Sequence, residues 1–245
     1  MFAALKPLKA KSLKDQCTDR FERLILSGEL VIGQRLPPER ELALQLGVSR
    51  PVIHESLVDL AAKGLIVLKP RVGAVVSDYR KEGSLAMLSS LVNYHNGRLD
   101  PRLLDSVLEM RILFENETAR LAALNRTSDH LAKFEKLLIR EGDVDPRDTE
   151  AVTELDFRFH HLVAMATDNV IYPLLLNSFK QFYTSLSARF FSDPGMAAAV
   201  FPVHRDMVDA IRKRDEHQSV ALMKRLLNHG ERHLRSMITD RGQQE

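Results

Sequence analysis

The chain has 245 residues, 44% of them apolar and 28% charged, with 35 basic against 33 acidic side chains. The length suggests one large domain or two ordinary ones, and the apolar content is enough for a sizeable core. A formal net charge of +2 carries no overall signal for nucleic acid, so the distribution of charge is the informative quantity.

Residues 1–80 hold 13 Lys and Arg against 9 Asp and Glu, so the N-terminal third is the basic part. A single cysteine, Cys17, excludes an intrachain disulfide and points to a reducing compartment. The opening "MFAALKPLKAK" has no long apolar core and no cleavage signature. No stretch approaches the roughly 18 uninterrupted apolar residues that span a bilayer. The expectation is a cytoplasmic protein with no membrane partner.

From Ser12, the residues Leu13, Cys17, Phe21, Leu24 and Ile25 recur at helical spacing, and Gly28 stops the pattern. "VIGQRLPP" reads as a loop. "ERELALQL" is a short helix with acids in its first turn, which suits the helix dipole. Gly47 breaks it. Ser49 is placed to cap a third helix running to about Lys63, with Pro51 tolerated in the first turn. Gly64 ends that helix. "LIVLKPRVGAVVSDY" has β-branched residues on both sides of Pro70 and Gly73 and predicts a hairpin. Three helices and a hairpin, with a tight glycine turn between the second and third helices, make a winged helix-turn-helix over residues 1–78. The bland alternative is a generic small α+β domain.

"SDYRKEG" is a polar stretch, and residues 79–83 read as a linker. Beyond it no strand-like alternation appears. Helices are predicted at roughly 84–97, 101–125, 128–141, 146–167, 170–190, 195–214 and 217–238, punctuated by Asp100–Pro101, Asp145–Pro146 and Asp193–Pro194–Gly195. Residues 84–245 are therefore expected to form an all-α antiparallel bundle.

In a helix-turn-helix, the first residues of the second helix meet base edges in the major groove. Arg50 and His54 stand at i and i+4, on one face. An arginine can donate two bonds to guanine O6 and N7. Ser49 and the helix N-terminus suit phosphate. Arg40 is placed to reach a phosphate or a base, and Arg71 and Gly73 at the hairpin tip suit the minor groove. Any one of these arginines alone is more simply a solvated charge. As a set on this motif they point to DNA. Ile53 and Leu57 are expected to face the core.

"LPPERELALQLGVSRPVIHESLVDLAAKGLIVLKPRVGAVV" resembles the DNA-binding domain of the GntR family, over almost all of residues 12–78. The family's usual pattern has serine before the "ER" and arginine in the "VRE" of the recognition helix. Pro38 and His54 stand at those positions here. His54 is shorter and mostly uncharged near neutral pH, so the preferred operator is expected to differ.

"LEMRILFENETARLAA" (108–123), "ELDFRFHHLVAMATDN" (154–169) and "HRDMVDAIRKRD" (204–215) resemble the FCD-type effector domain of the FadR branch of that family. Read from the residues alone, Arg111 lies on an inward-looking stripe with Leu104 and Thr118. A buried arginine needs an anionic partner: either Glu115, one turn away, or a ligand carboxylate. Asp156 and His160, at i and i+4, can present two metal ligands from one helix. His204 lies on the apolar stripe of a later helix.

The resemblance implies a divalent-metal site of one Asp and three His, of which Asp156, His160 and His204 match three. The fourth position holds Leu226, with His229 and His233 one and two turns on. The site is therefore incomplete, or completed by His229 in a shifted geometry. The ion would be zinc, nickel or manganese. "NVIYPLLLNSFKQFYTSLSARFFSDP" (169–194) instead resembles acyl-CoA-binding members of the branch, which lack the metal ligands. In that alternative Phe179, Phe182, Phe190 and Phe191 line an apolar tunnel, and Arg111 or Lys180 meets an anionic group. Tyr183 belongs to the same segment. Of the two, the metal-free pocket is marginally preferred.

The reading is a homodimeric transcriptional regulator. It binds a double-stranded DNA operator and responds to an acyl-CoA or other small carboxylate. Two competitors remain. One is a metal-dependent hydrolase-like helical domain fused to a DNA reader. The other is a DNA-binding protein with a purely structural dimerisation domain.

Overall fold

The computed structural model describes residues 11–94 and 101–242. It divides into two compact units, residues 1–98 and 99–245. Among the described residues, no helix is long and apolar enough to cross a membrane.

The first unit begins with α1 (Leu13–Leu26), capped by the Ser12 hydroxyl, which accepts from the Asp15 backbone N–H. α2 (Glu39–Leu46) closes on Gly47 in the left-handed conformation at φ 65°, where glycine carries no Cβ penalty. α3 (Arg50–Ala62) follows at once. Its inward residues Ile53, Leu57 and Leu60 are buried among Phe21, Ile25 and Leu42. A Thr18–Ser56 hydrogen bond of 3.0 Å crosses between α1 and α3 inside this core. Strands β1 (Ile66–Lys69) and β2 (Gly73–Val76) pair antiparallel, with Ile66 opposite Val76 and Lys69 opposite Gly73. Arg35 adds an isolated bridge to Val75, so the loop before α2 is tied to the wing. Gly64 matters at the end of α3: φ is +75°, and a Cβ there would run into the Glu82 carbonyl.

The winged architecture is as expected, with three local differences. Ser49 occupies the N-cap position of α3 but its hydroxyl makes no capping bond. The expected linker holds a short helix, α4 (Tyr79–Glu82), started by Asp78 accepting from the Arg80 backbone N–H. α5 (Met87–Tyr94) packs on α1 rather than joining the bundle, and Met87 is buried in the first unit's core.

The second unit is all helical. Its elements are α6 (Pro101–Asn125), α7 (Ser128–Asp143), α8 (Thr149–Met165), α9 (Ile171–Ser178), α10 (Lys180–Phe190), α11 (Gly195–Arg212) and α12 (Glu216–Gly242). α6 and α12 lie along each other, and α8 touches α6, α7, α9 and α10. Ala119, Ala122 and Ala123 on α6 are fully buried, and such small side chains let neighbouring helices approach closely. Phe134 and Phe159 pack ring to ring at 5.8 Å between α7 and α8. The single helix expected over 170–190 is two, separated at Phe179 (φ −92°, ψ −4°). Phe190 and Phe191 belong to the main core rather than to a tunnel.

Candidate metal centre and DNA-reading surface

In the helical unit, Asp156 and His160 come from consecutive turns of α8 and His204 from α11. Their ligand atoms all lie within 4.8 Å of one another, and all three residues are buried. Asp156 Oδ1 is 3.8 Å from His160 Nε2 and 3.7 Å from His204 Nε2. Those gaps are too long for hydrogen bonds. They are close to the roughly 3–4 Å between two ligand atoms that each lie about 2.0–2.1 Å from a zinc ion. His204 is fully buried and its Nε2 has no partner. An uncharged donor or acceptor buried without a partner costs about 1–3 kcal/mol, so the atom is placed for something else.

Each imidazole is backed by a carboxylate on its other nitrogen. Glu141 on α7 lies 2.8 Å from His204 Nδ1. Glu115 on α6 meets His160 Nδ1. A carboxylate has no proton to give, so it holds the proton on Nδ1 and leaves the Nε2 lone pair facing the gap. Tyr183 donates to Asp156 Oδ2 at 2.9 Å, and Ser187 lies 3.4 Å from the same oxygen. Asp156 Oδ1 is thereby left to the gap. The donor set of two imidazoles and one carboxylate suits zinc, nickel or manganese, so the residues fit a divalent ion.

Arg111 is the neighbouring cation. Its Nε donates to Glu115 Oε1 at 2.5 Å, Nη2 reaches the Tyr183 hydroxyl at 3.3 Å, and the guanidinium lies 4.5 Å from the Tyr183 ring centroid. Burial alone would raise the Glu115 carboxyl, but Arg111 and His160 hold it down at about 2. Burial also acts to lower His160, and Glu115 overrides it and raises the imidazole. Burial and the Asp156 charge raise the Tyr183 phenol, which stays protonated as a donor. Arg111 thus has its structural anion, and it also lines a cavity of about 40 Å³ with Asp156, His160, Leu226 and Gly230. A second, apolar cavity of about 20 Å³ lies between Phe114, Phe179 and Phe182, and Arg111 and Tyr183 line both cavities.

Two expected participants lie elsewhere. His229 is outside the ligand group; its ring packs edge-on to Phe190 at 5.7 Å, as does His233 at 5.2 Å. Leu226, Leu227, Gly230 and Leu234 are the α12 residues that line the cavity, and His229 is not among them. Lys180 pairs with Glu154 at 3.1 Å and lies over the Phe157 ring, away from the cavity.

In the first unit, a groove of about 560 Å³ lies beside the start of α3 and the wing. Arg35, Arg40, Arg50, Lys69 and Arg71 line it, with Glu39 and His54. Arg71 sits at the wing turn with φ 63°, next to Gly73. Arg50 and His54 are 72% and 60% exposed, and both are held by Glu39: Arg50 Nε donates to Oε2 at 3.1 Å, and His54 Nδ1 lies 2.8 Å from Oε1. Five basic side chains are thus gathered beside the start of α3, where the whole chain carries a net charge of only +2.

Residues 13–76 match the bacterial regulatory proteins of the gntR family, and residues 106–229 match the FCD domain. The chain belongs to the GntR family. The regulator Mce2R of Mycobacterium tuberculosis is 32% identical over 86% of this chain and 87% of its own length. The galactonate operon transcriptional repressor of Escherichia coli is 32% identical over 78% of this chain and 83% of its own. The fatty acid metabolism regulator protein of Yersinia pestis is 32% identical over 66% of this chain and 65% of its own. GntR regulators bind DNA operators and small-molecule effectors and are usually dimeric, and FCD domains can bind metal ions. This GntR protein is a transcriptional regulator with an FCD effector domain, and the hydrolase-like reading falls away.

Glu39 and Glu141 were missed from sequence. Glu141 carried a signal: it falls on the α7 stripe of Phe134 and Leu137, where a charge needs a partner. Glu39 carried none beyond its favourable place in a first turn.

Proposed function

We propose that this regulator binds a palindromic operator as a homodimer and controls metabolic genes. Its helical unit holds a divalent metal through Asp156, His160 and His204. The metal, when bound, supplies a positive centre with open positions for the carboxylate of a small metabolite. Arg111 supplies a second positive group beside it. The observation that carries this reading is the fully buried, unpartnered His204 Nε2, turned to Asp156 by Glu141. The cavity size favours a small effector: about 40 Å³ beside the ligands holds one or two waters' worth of volume. Pockets for drug-sized ligands run to about 300–1,000 Å³. An acyl-CoA chain would have to open the packed core around Phe190 and Phe191.

DNA reading rests on Arg50. With Nε engaged by Glu39, its two terminal amino groups remain for a guanine O6/N7 pair. Arg50→Ala is expected to weaken operator binding by on the order of 1–3 kcal/mol. A band-shift titration with the upstream region of the protein's own gene checks this, and equal binding by the variant contradicts it. The full chain is expected to sediment as a dimer at micromolar concentration, since operator symmetry mirrors protein symmetry. A monomer in that experiment counts against the palindromic operator.

A further inference from the structure

We propose that Glu39 fixes the His54 ring so that the recognition helix offers the operator a hydrogen-bond acceptor, and that His54 thereby selects adenine or cytosine where a donor side chain would select guanine. The inference rests on the DNA reading proposed above.

His54 occupies the second turn of α3, one turn beyond Arg50. Its ring is 60% exposed on the groove side, and Nδ1 is 2.8 Å from Glu39 Oε1. Hydrogen bonds from His54, and then from Arg50, hold the Glu39 carboxyl below its ordinary range against partial burial. An ionised carboxylate only accepts, so the proton between the two groups belongs to Nδ1. A neutral imidazole has one N–H. Once that proton is on Nδ1, Nε2 carries a lone pair and no hydrogen.

The major groove distinguishes bases by donors and acceptors. Adenine N6 and cytosine N4 are donors, while guanine O6 and N7 and thymine O4 accept. A bare Nε2 pairs with the first two and is repelled by the others. The charged groups sharing the groove are Glu39 and Arg40 from α2, Arg50 from α3, Arg35 from the preceding loop, and Lys69 and Arg71 from the wing. Among these, Glu39 is the lone carboxylate, and it is already bound to Nδ1. The Glu39 carboxylate therefore sets the hydrogen-bond sense of the exposed nitrogen.

The test is selection from a randomised duplex library by the full-length protein. The wild type and His54→Arg are expected to enrich different base pairs at one position near the Arg50-dependent one, by about tenfold each. Glu39→Gln, which no longer dictates the tautomer, is expected to flatten the preference at that position. The same choice by wild type and His54→Arg, or a Glu39→Gln preference at that position as sharp as that of the wild type, overturns the proposal. Selection by Arg50→Ala identical to wild type would instead remove the DNA reading itself, and this inference with it.

Discussion

Glu115→Gln is expected to destabilise the helical unit by on the order of 3–5 kcal/mol, the cost of leaving a buried cation without its anion. Glu115 is 2% exposed and serves two partners at once, accepting from the Arg111 cation on one oxygen and meeting the His160 ring on the other. Its carboxyl is held at about 2, so the group is ionised across the physiological range. The amide keeps the shape and removes the charge. Arg111 cannot release its proton and has 17% side-chain exposure, too little to recover full hydration. Calorimetry is expected to show the transition lowered by roughly 10 °C for a unit of this size. A paired control distinguishes charge from packing. Arg111→Met together with Glu115→Leu removes both charges, and is expected to restore much of the loss. A Glu115→Gln protein that melts with the wild type would show that Arg111 finds another partner.

The second large effect concerns metal. Adding zinc to stripped wild type is expected to raise the melting temperature, because an ion that binds only the folded state stabilises it by about 4 kcal/mol at a thousandfold excess over its Kd. His160→Ala and Asp156→Ala each remove a buried ligand and are expected to abolish that rise. His229→Ala is expected to leave it intact, since His229 packs on Phe190 outside the ligand group. The same Asp156 dependence separates metal from a purely structural core. Tyr183 donates to Asp156, so Asp156→Ala also removes a structural hydrogen bond, and the zinc-dependent rise rather than the basal melting temperature is the readout. A zinc response retained by His160→Ala would place the ion elsewhere.

Much of the first unit was legible because its signals are local. Ser12, Gly28, Gly47 and Gly64 punctuate helices whose apolar residues recur at helical spacing, and Pro70 and Gly73 mark the wing. The α5 assignment failed for the opposite reason. Met87 and its neighbours form an apolar stripe that suits any partner, and local pattern does not say which core receives it. The break at Phe179 was invisible because no glycine or proline marks it.

At the site, the i, i+4 spacing of Asp156 and His160 was readable, and His204 could be named from resemblance. What turns these residues toward one gap is long-range: Glu141 reaches His204 across 63 residues, and Tyr183 reaches Asp156 across 27. The preference for a metal-free acyl pocket rests on Leu226 at the fourth ligand position and on the segment 169–194 with its aromatic run. The structure divides that run between a small cavity and the main core, and the division depends on helix packing rather than on composition.

Elemental analysis of the wild-type protein, purified without a histidine tag or added metal, tests the metal reading most directly. Near-stoichiometric zinc, nickel or manganese is the expected result, and it should fall to trace levels in His160→Ala purified the same way. Wild-type protein that carries only trace metal, and takes up none on dialysis against these ions, would contradict the account.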